Sequence, residues 1–271
     1  MLRLNGAAWG PQGRRVDNPA GLYYRQSMRR TLSFLLQAAV LAALLPVLAG
    51  CTEKITRQSK LADTEIFARG SRLYAGKDFG AAADHFQVLL EKYPASPIAG
   101  RAQLMLADAR MERGDAIEAE TAFDDFLRLY PSDDNVPYAL FRKGELLSRD
   151  AVDPGRDQSK TGESIRAFEL FLQKEPVGPR AAQAHDRIRS LRARLAEHEL
   201  LIVRHYLKRK LPESAAVRAK RAAADYPDTP AVPVLLSLQA DALDRLGKTS
   251  ESAAVRATLA NRFPGFTGGK K

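Results

Sequence analysis

The chain has 271 residues, 45% of them hydrophobic and 27% charged, with a formal net charge of +10. That balance excludes an intrinsically disordered chain, and the length accommodates one large or two ordinary domains. Residues 1–51 hold six Arg and one Asp, a net of +5, so the remaining residues carry only +5. Nucleic-acid binding needs a concentrated basic face, and a surplus this mild does not argue for one. The one cysteine, Cys51, allows no intrachain disulfide.

Residues 1–27 show no helical period and are read as an upstream start artefact, with translation beginning at Met28. Met28-Arg29-Arg30 precedes an apolar run from Leu32 to Val47, which ends in Leu48-Ala49-Gly50-Cys51. Cations followed by an apolar stretch and small residues are the parts of an export signal. The run is also about long enough to span a bilayer as a helix. Its last four residues resemble the lipobox of bacterial lipoproteins, which implies lipid on Cys51 and cleavage just before it. Residues 28–50 are therefore expected to be a lipoprotein signal peptide, and 51–62 a lipid-anchored tether. Thr52 stands where an Asp would resemble an inner-membrane retention signal, so the resemblance favours the outer membrane.

Helices are expected near 63–76 and 78–92, then 97–112 and 115–130. A third pair starts at Asn135, pauses at an irregular stretch, 150–159, and resumes over 161–174. Pro179 opens one long helix to about Lys210, in which Ile188, Leu191, Leu195, Ile202 and Tyr206 recur at helical spacing without a breaker. Helices near 213–225, 230–246 and 249–262 follow, and 265–271 is expected to fray.

Within this pattern three residues fall at fixed offsets: Ala82, Phe86, Pro94, then Ala119, Phe123, Pro131, then Ser164, Phe168, Pro176. The offsets return as Ala215, Ala219, Pro227 and as Ser252, Arg256, Pro264. Gly70 and Ala107 stand 24 residues before the first two prolines. Self-similarity of this kind resembles the tetratricopeptide repeat. Small residues let two helices approach, the Phe is expected to fill the wedge against the next repeat, and Pro ends the second helix. One hairpin cannot bury its apolar face alone, so stacking is expected. The fold expected is all-α, an α-solenoid of about five tetratricopeptide-type hairpins; an irregular helical bundle is the alternative.

Three segments are more specific than the repeat. Arg156-Asp157-Gln158-Ser159, Arg194-Leu195-Ala196-Glu197-His198-Glu199-Leu200 (continuing through Arg204-His205-Tyr206-Leu207-Lys208-Arg209) and Asp225-Tyr226-Pro227-Asp228-Thr229-Pro230-Ala231-Val232 resemble segments of BamD-type lipoproteins of the outer-membrane β-barrel assembly machinery. The likeness runs from about Cys51 to Pro264. Glu175 replaces an aromatic, Ala219 and Arg256 replace the repeat phenylalanine, and residues 1–27 have no counterpart. The resemblance implies a non-enzymatic scaffold, lipid-anchored on the periplasmic face of the outer membrane. Its implied partners are the POTRA domains of the β-barrel insertase, other assembly lipoproteins and unfolded outer-membrane proteins. Residues 63–176 would form a substrate-side half and 177–264 an insertase-docking half.

In a tetratricopeptide repeat the first helix of each pair lines the binding face. By register this selects Phe67, Tyr74, Leu104, Tyr138 and Phe141, an aromatic set suited to an extended peptide such as a terminal barrel strand. The competing assignment makes these rings core. Arg218 and Arg221 lie three apart, so they share a helix face; the family resemblance places an Arg at the first position, with a donor fork for a partner carboxylate.

Catalytic signatures fail at defined positions. Leu246-Gly247-Lys248-Thr249 imitates the end of a phosphate-binding loop, but Ala242 replaces the required Gly. His198-Glu199 begins like a zinc-protease signature, but Ile202 replaces the second His. There is no Gly-x-Ser-x-Gly elbow. The expectation is no enzyme, no cofactor and no metal. The runner-up function is a repeat lipoprotein coordinating peptidoglycan synthesis with outer-membrane constriction; a cryptic envelope hydrolase is the remote third.

Overall fold

The structure, a computed structural model, describes residues 62–150 and 153–268. The described residues form ten helices: α1 (Asp63–Ala75), α2 (Phe79–Lys92), α3 (Ala99–Arg113), α4 (Ala116–Leu129), α5 (Val136–Asp150), α6 (Ser159–Lys174), α7 (Pro179–Lys208), α8 (Pro212–Asp225), α9 (Val232–Arg245) and α10 (Thr249–Arg262). Consecutive helices pack as five hairpins, and the first helices also touch along the stack: α1 with α3, α3 with α5, α5 with α7, α7 with α9. This is the expected all-α solenoid of tetratricopeptide type. The signal peptide, Cys51 and the start at Met28 all lie outside the described residues.

Helix ends follow from local chemistry. The Asp78 carboxylate accepts from the Ala81 amide at 3.1 Å and caps α2. Gly114, with φ of 96°, closes α3 in the left-handed region by donating to the Arg110 and Met111 carbonyls. The residues before the repeat prolines donate their amides four residues back: Tyr93 to Leu89, Tyr130 to Phe126, Tyr226 to Ala222, Phe263 to Leu259. Glu175 does the same to Phe171 at 2.8 Å. The stop is made by backbone and the following proline, so losing the aromatic side chain there leaves the helix end intact.

The core is built from a ring set into a gap. Phe86, Phe123 and Phe168 are fully buried, as are Ala82, Ala119 and Ser164. A Cβ placed on Gly70 would come within 2.8 Å of the Phe86 ring, and one on Gly144 within 2.8 Å of Phe168. Gly144 is the third repeat's counterpart of Gly70, hidden from the 24-residue spacing by the inserted turn between α5 and α6. The serine substitutes also have partners: Ser164 Oγ donates to the Gly144 carbonyl at 2.8 Å, and Ser252 Oγ to the Ala240 carbonyl at 3.1 Å.

The departures from pattern are compensated. Where Ala219 replaces the phenylalanine, the position 24 residues before Pro227 holds the larger Val203, and both are fully buried in one cluster. At the last repeat Arg256 is half-exposed and bonds Asp241 at 3.0 Å and Asp244 at 2.6 Å. No further repeat covers α10 among the described residues, and only Ser252 of that helix is buried. A polar outer face is what a terminal repeat needs.

Replacing Gly144 by Ala should destabilise the protein, because overpacking against Phe168 costs about 1–3 kcal/mol, more than the helix-propensity gain of about 1 kcal/mol. Adding Phe168→Leu to Gly144→Ala should recover part of the loss. Thermal denaturation followed by circular dichroism checks both, and an unchanged melting curve for Gly144→Ala would refute the wedge.

Candidate functional site

Of the five residues expected on the first-helix face, three reach the surface. Phe67 of α1 is half-buried, its centroid 5.5 Å from Phe86 and the Arg101 guanidinium 5.0 Å from its ring. Tyr74 is half-buried, edge-on to Phe79 at 5.3 Å. Tyr138 is half-buried, with the Arg180 guanidinium 5.3 Å from its ring. Leu104 and Phe141 are instead 6% and 5% exposed. Phe141 packs against Phe168 at 5.6 Å and Phe171 at 5.2 Å, so it belongs to the third hairpin's core rather than to a peptide-facing surface. Phe141 shares its apolar stripe with residues that point inward, and register alone cannot separate them.

Two residues missed in the sequence organise this face. Asp108 of α3 is 2% exposed; it accepts from the Tyr138 hydroxyl at 2.8 Å and from Arg142 Nε at 2.8 Å. Arg142 of α5 also bonds Glu112 at 2.5 Å and Glu145 at 3.0 Å. Burial pushes the Asp108 carboxyl above its ordinary pKa, against the pull of Arg142 and Tyr138. Burial also opposes charge on Arg142, but Asp108 and Glu112 outweigh it and raise the guanidinium's pKa. The Tyr138 hydroxyl is held neutral, first by burial and then by the adjacent Asp108 carboxylate. The available signals were an acid directly after the apolar run Leu104–Ala107 and a Tyr and Arg four apart on α5. A buried, fully bonded ion pair fixes geometry more than it adds stability. Here it sets α5 against α3.

The second surface lies between α7 and α8. A cavity of about 610 Å³ is lined by Glu199, Tyr206, Val217, Arg218, Arg221 and Tyr226, among others. Both arginines singled out in the sequence thus meet at one site. Arg218 donates through Nε to Glu199 at 2.6 Å and through a terminal nitrogen at 3.0 Å. The hydrogen bond to Glu199 raises its pKa. The fork expected for a partner is therefore engaged within the chain. Arg221 is much freer, its side chain 83% exposed and only 3.4 Å from Asp225. Val217 is 65% exposed at the cavity rim.

The three specific sequence segments converge on α7. His198 Nδ1 lies 2.5 Å from the Pro154 carbonyl, which seats the α5–α6 turn containing Arg156 to Ser159. Arg192 bonds Asp228 at 3.0 Å and the Asp225 carbonyl at 3.0 Å, which holds the α8–α9 turn. Arg189 pairs with Asp186 on the solvent side.

Curated relatives include the outer membrane protein assembly factor BamD of Neisseria meningitidis serogroup A, 28% identical over 212 residues, covering 74% of this chain and 79% of that one. BamD of Caulobacter vibrioides is 27% identical over 232 residues, covering 84% and 75%. BamD of Vibrio cholerae is 25% identical over 217 residues, covering 76% and 89%. Among solved structures the chain is similar to the TPR2AB-domain:pHSP90 complex of yeast Sti1, at TM-score 0.39 and 17% identity, covering 75% and 78%. The family described as YfiO, outer membrane lipoprotein, matches residues 59–259. That stretch runs from before α1 into α10, and the chain belongs to the YfiO family of outer membrane lipoproteins; the relatives named above are outer-membrane protein assembly factors.

Proposed function

We propose that this chain is a non-catalytic scaffold of outer-membrane β-barrel assembly, held by lipid on Cys51 at the periplasmic face. Residues 63–176 receive unfolded barrel polypeptides, and residues 177–264 dock the POTRA domains of the insertase alongside other assembly lipoproteins. The observation that carries the reading is the α7–α8 cavity. It combines an aromatic pair, Tyr206 and Tyr226, an exposed Val217 and an exposed cation, Arg221, around the oriented Arg218–Glu199 pair. Apolar anchors ringed by charge are the make-up of an interface centre. On the first-helix face, Phe67, Tyr74 and Tyr138 offer ring surfaces, the last bonded to the buried Asp108, which suits aromatic side chains of an extended chain.

The two surfaces give separate tests. Arg218→Glu faces a carboxylate toward Glu199 and should abolish co-purification with the insertase. The swap Arg218→Glu with Glu199→Arg restores an internal pair, so recovery of binding would assign Arg218 to the fold alone. Continued loss in the swap, with an unchanged melting temperature, supports docking. For the other face, Phe67→Ala with Tyr138→Ala should weaken binding of barrel C-terminal peptides about tenfold, equivalent to about 1.4 kcal/mol. Fluorescence anisotropy measures it, and unaltered affinity would remove the aromatic face from the reading. Phe141 is unsuitable for this test, because truncating a buried phenylalanine costs about 3–5 kcal/mol of stability.

A further inference from the structure

The turn that closes the fourth hairpin differs from the others in its charge. Lys208, Arg209 and Lys210 follow one another at the end of α7, with Arg204 one helical turn earlier, and all four are exposed. None of them makes a side-chain ion pair among the described residues. The fifth hairpin brings its own turn alongside: Arg245 donates to the Leu207 carbonyl at 3.3 Å, so Leu246 and Lys248 flank the same tip. Counting residues 204–213 and 244–251, six cations face three carboxylates, Glu213, Asp244 and Glu251. Two of those carboxylates are engaged, Asp244 by Arg256 at 2.6 Å and Glu251 by Lys248 at 3.5 Å.

The backbone presents these side chains outward. Lys210 donates to the Leu207 carbonyl and Leu211 to the Tyr206 carbonyl, which closes α7 with Lys210 at φ 58°. The equivalent closing position is glycine in two other hairpins, Gly114 and Gly247, and lysine in the first, Lys77 at φ 62°. A side chain at this left-handed position carries a conformational cost that glycine avoids. Apolar groups share the tip: Leu201 is 45% exposed, Leu211 42% and Leu246 36%.

We infer that this tip, Arg204 with Lys208-Arg209-Lys210 and the flanking leucines, is a docking surface for a bilayer carrying anionic phospholipid. Flexible cations beside exposed leucines match a headgroup layer, in which ammonium and guanidinium groups meet phosphates while the apolar side chains enter the acyl boundary. All four cations are exposed at an inter-helix turn, and none of them lines the α7–α8 cavity. Among the described residues no helix is long and apolar enough to cross a membrane, so the contact is peripheral. Its cations and leucines lie in the 177–264 half but do not line the α7–α8 cavity, and it does not depend on lipid at Cys51.

A tryptophan introduced by Leu211→Trp, in the full chain carrying Trp9→Phe, reports on the tip alone. The probe is vesicles of brominated phosphatidylcholine, with or without about 30 mol % phosphatidylglycerol. Quenching is expected in the anionic vesicles and should fall about threefold or more in Lys208→Gln/Arg209→Gln/Lys210→Gln or in about 1 M salt. Arg209→Lys, which keeps the charge, should quench like the parent. Circular dichroism of each variant confirms that the helices are intact. Equal quenching in neutral vesicles, or quenching indifferent to the three substitutions, would overturn the inference. Absence of quenching in anionic vesicles would also overturn it and would leave the tip to an acidic protein.

Discussion

A phenyl ring lying where the facing helix has no side chain is the contact on which the rest of this structure depends. Phe86 over Gly70 and Phe168 over Gly144 bring the helices of the first and third hairpins close enough to exclude water. Each hairpin then presents an apolar back that only the next hairpin covers. Packing at interior density makes such contacts intolerant of an added methyl group. The fourth hairpin meets the same constraint by moving volume across the interface, with Val203 large and Ala219 small. In the first, third and fourth hairpins a small residue on one side of the contact thus goes with a larger one on the other. The identity of the residue on either side is secondary.

Much of this was legible because repetition turns weak local signals into strong ones. Ala82, Phe86 and Pro94 alone would say little; their recurrence fixes helix ends to within two or three residues. The long α7 was readable from uninterrupted helical spacing after Pro179. Gly144 was not, since the insertion between α5 and α6 shifts it out of register. The face of α7 was read only in part. Leu191 is buried as the period suggests, but the deepest positions include Ala184, Ala196 and Val203, whose small volumes weaken a hydrophobic pattern.

The binding faces were less legible for a physical reason. Helical spacing reports which residues share a stripe, whereas exposure depends on what the neighbouring hairpin brings. Tyr138 and Phe141 lie three apart on α5, and one reaches the surface while the other is sealed by Phe168 and Phe171. Asp108 was overlooked because its partners come from α5, 30 and 34 residues away. Arg218 was found as a surface cation, but its pairing with Glu199 depends on how α8 crosses α7. In each case the decisive neighbour is distant in sequence.

The Arg218–Glu199 pair changes what docking at the α7–α8 cavity would require. A partner carboxylate approaching Arg218 competes with Glu199, which already holds two nitrogens of the fork. Displacing it would leave Glu199 without its cation beside the low-dielectric wall of Tyr206 and Tyr226, a net loss unless that carboxylate were itself neutralised. A partner that meets the pair at its open edge avoids the loss, because a guanidinium bound on one side keeps N–H groups for a second acceptor. The oriented pair then acts as one polar feature, and Arg221, held only by a single 3.4 Å contact to Asp225, supplies the attraction that brings an acidic surface toward it. On the proposed reading, specificity resides in Arg218 and the long-range pull in its neighbour.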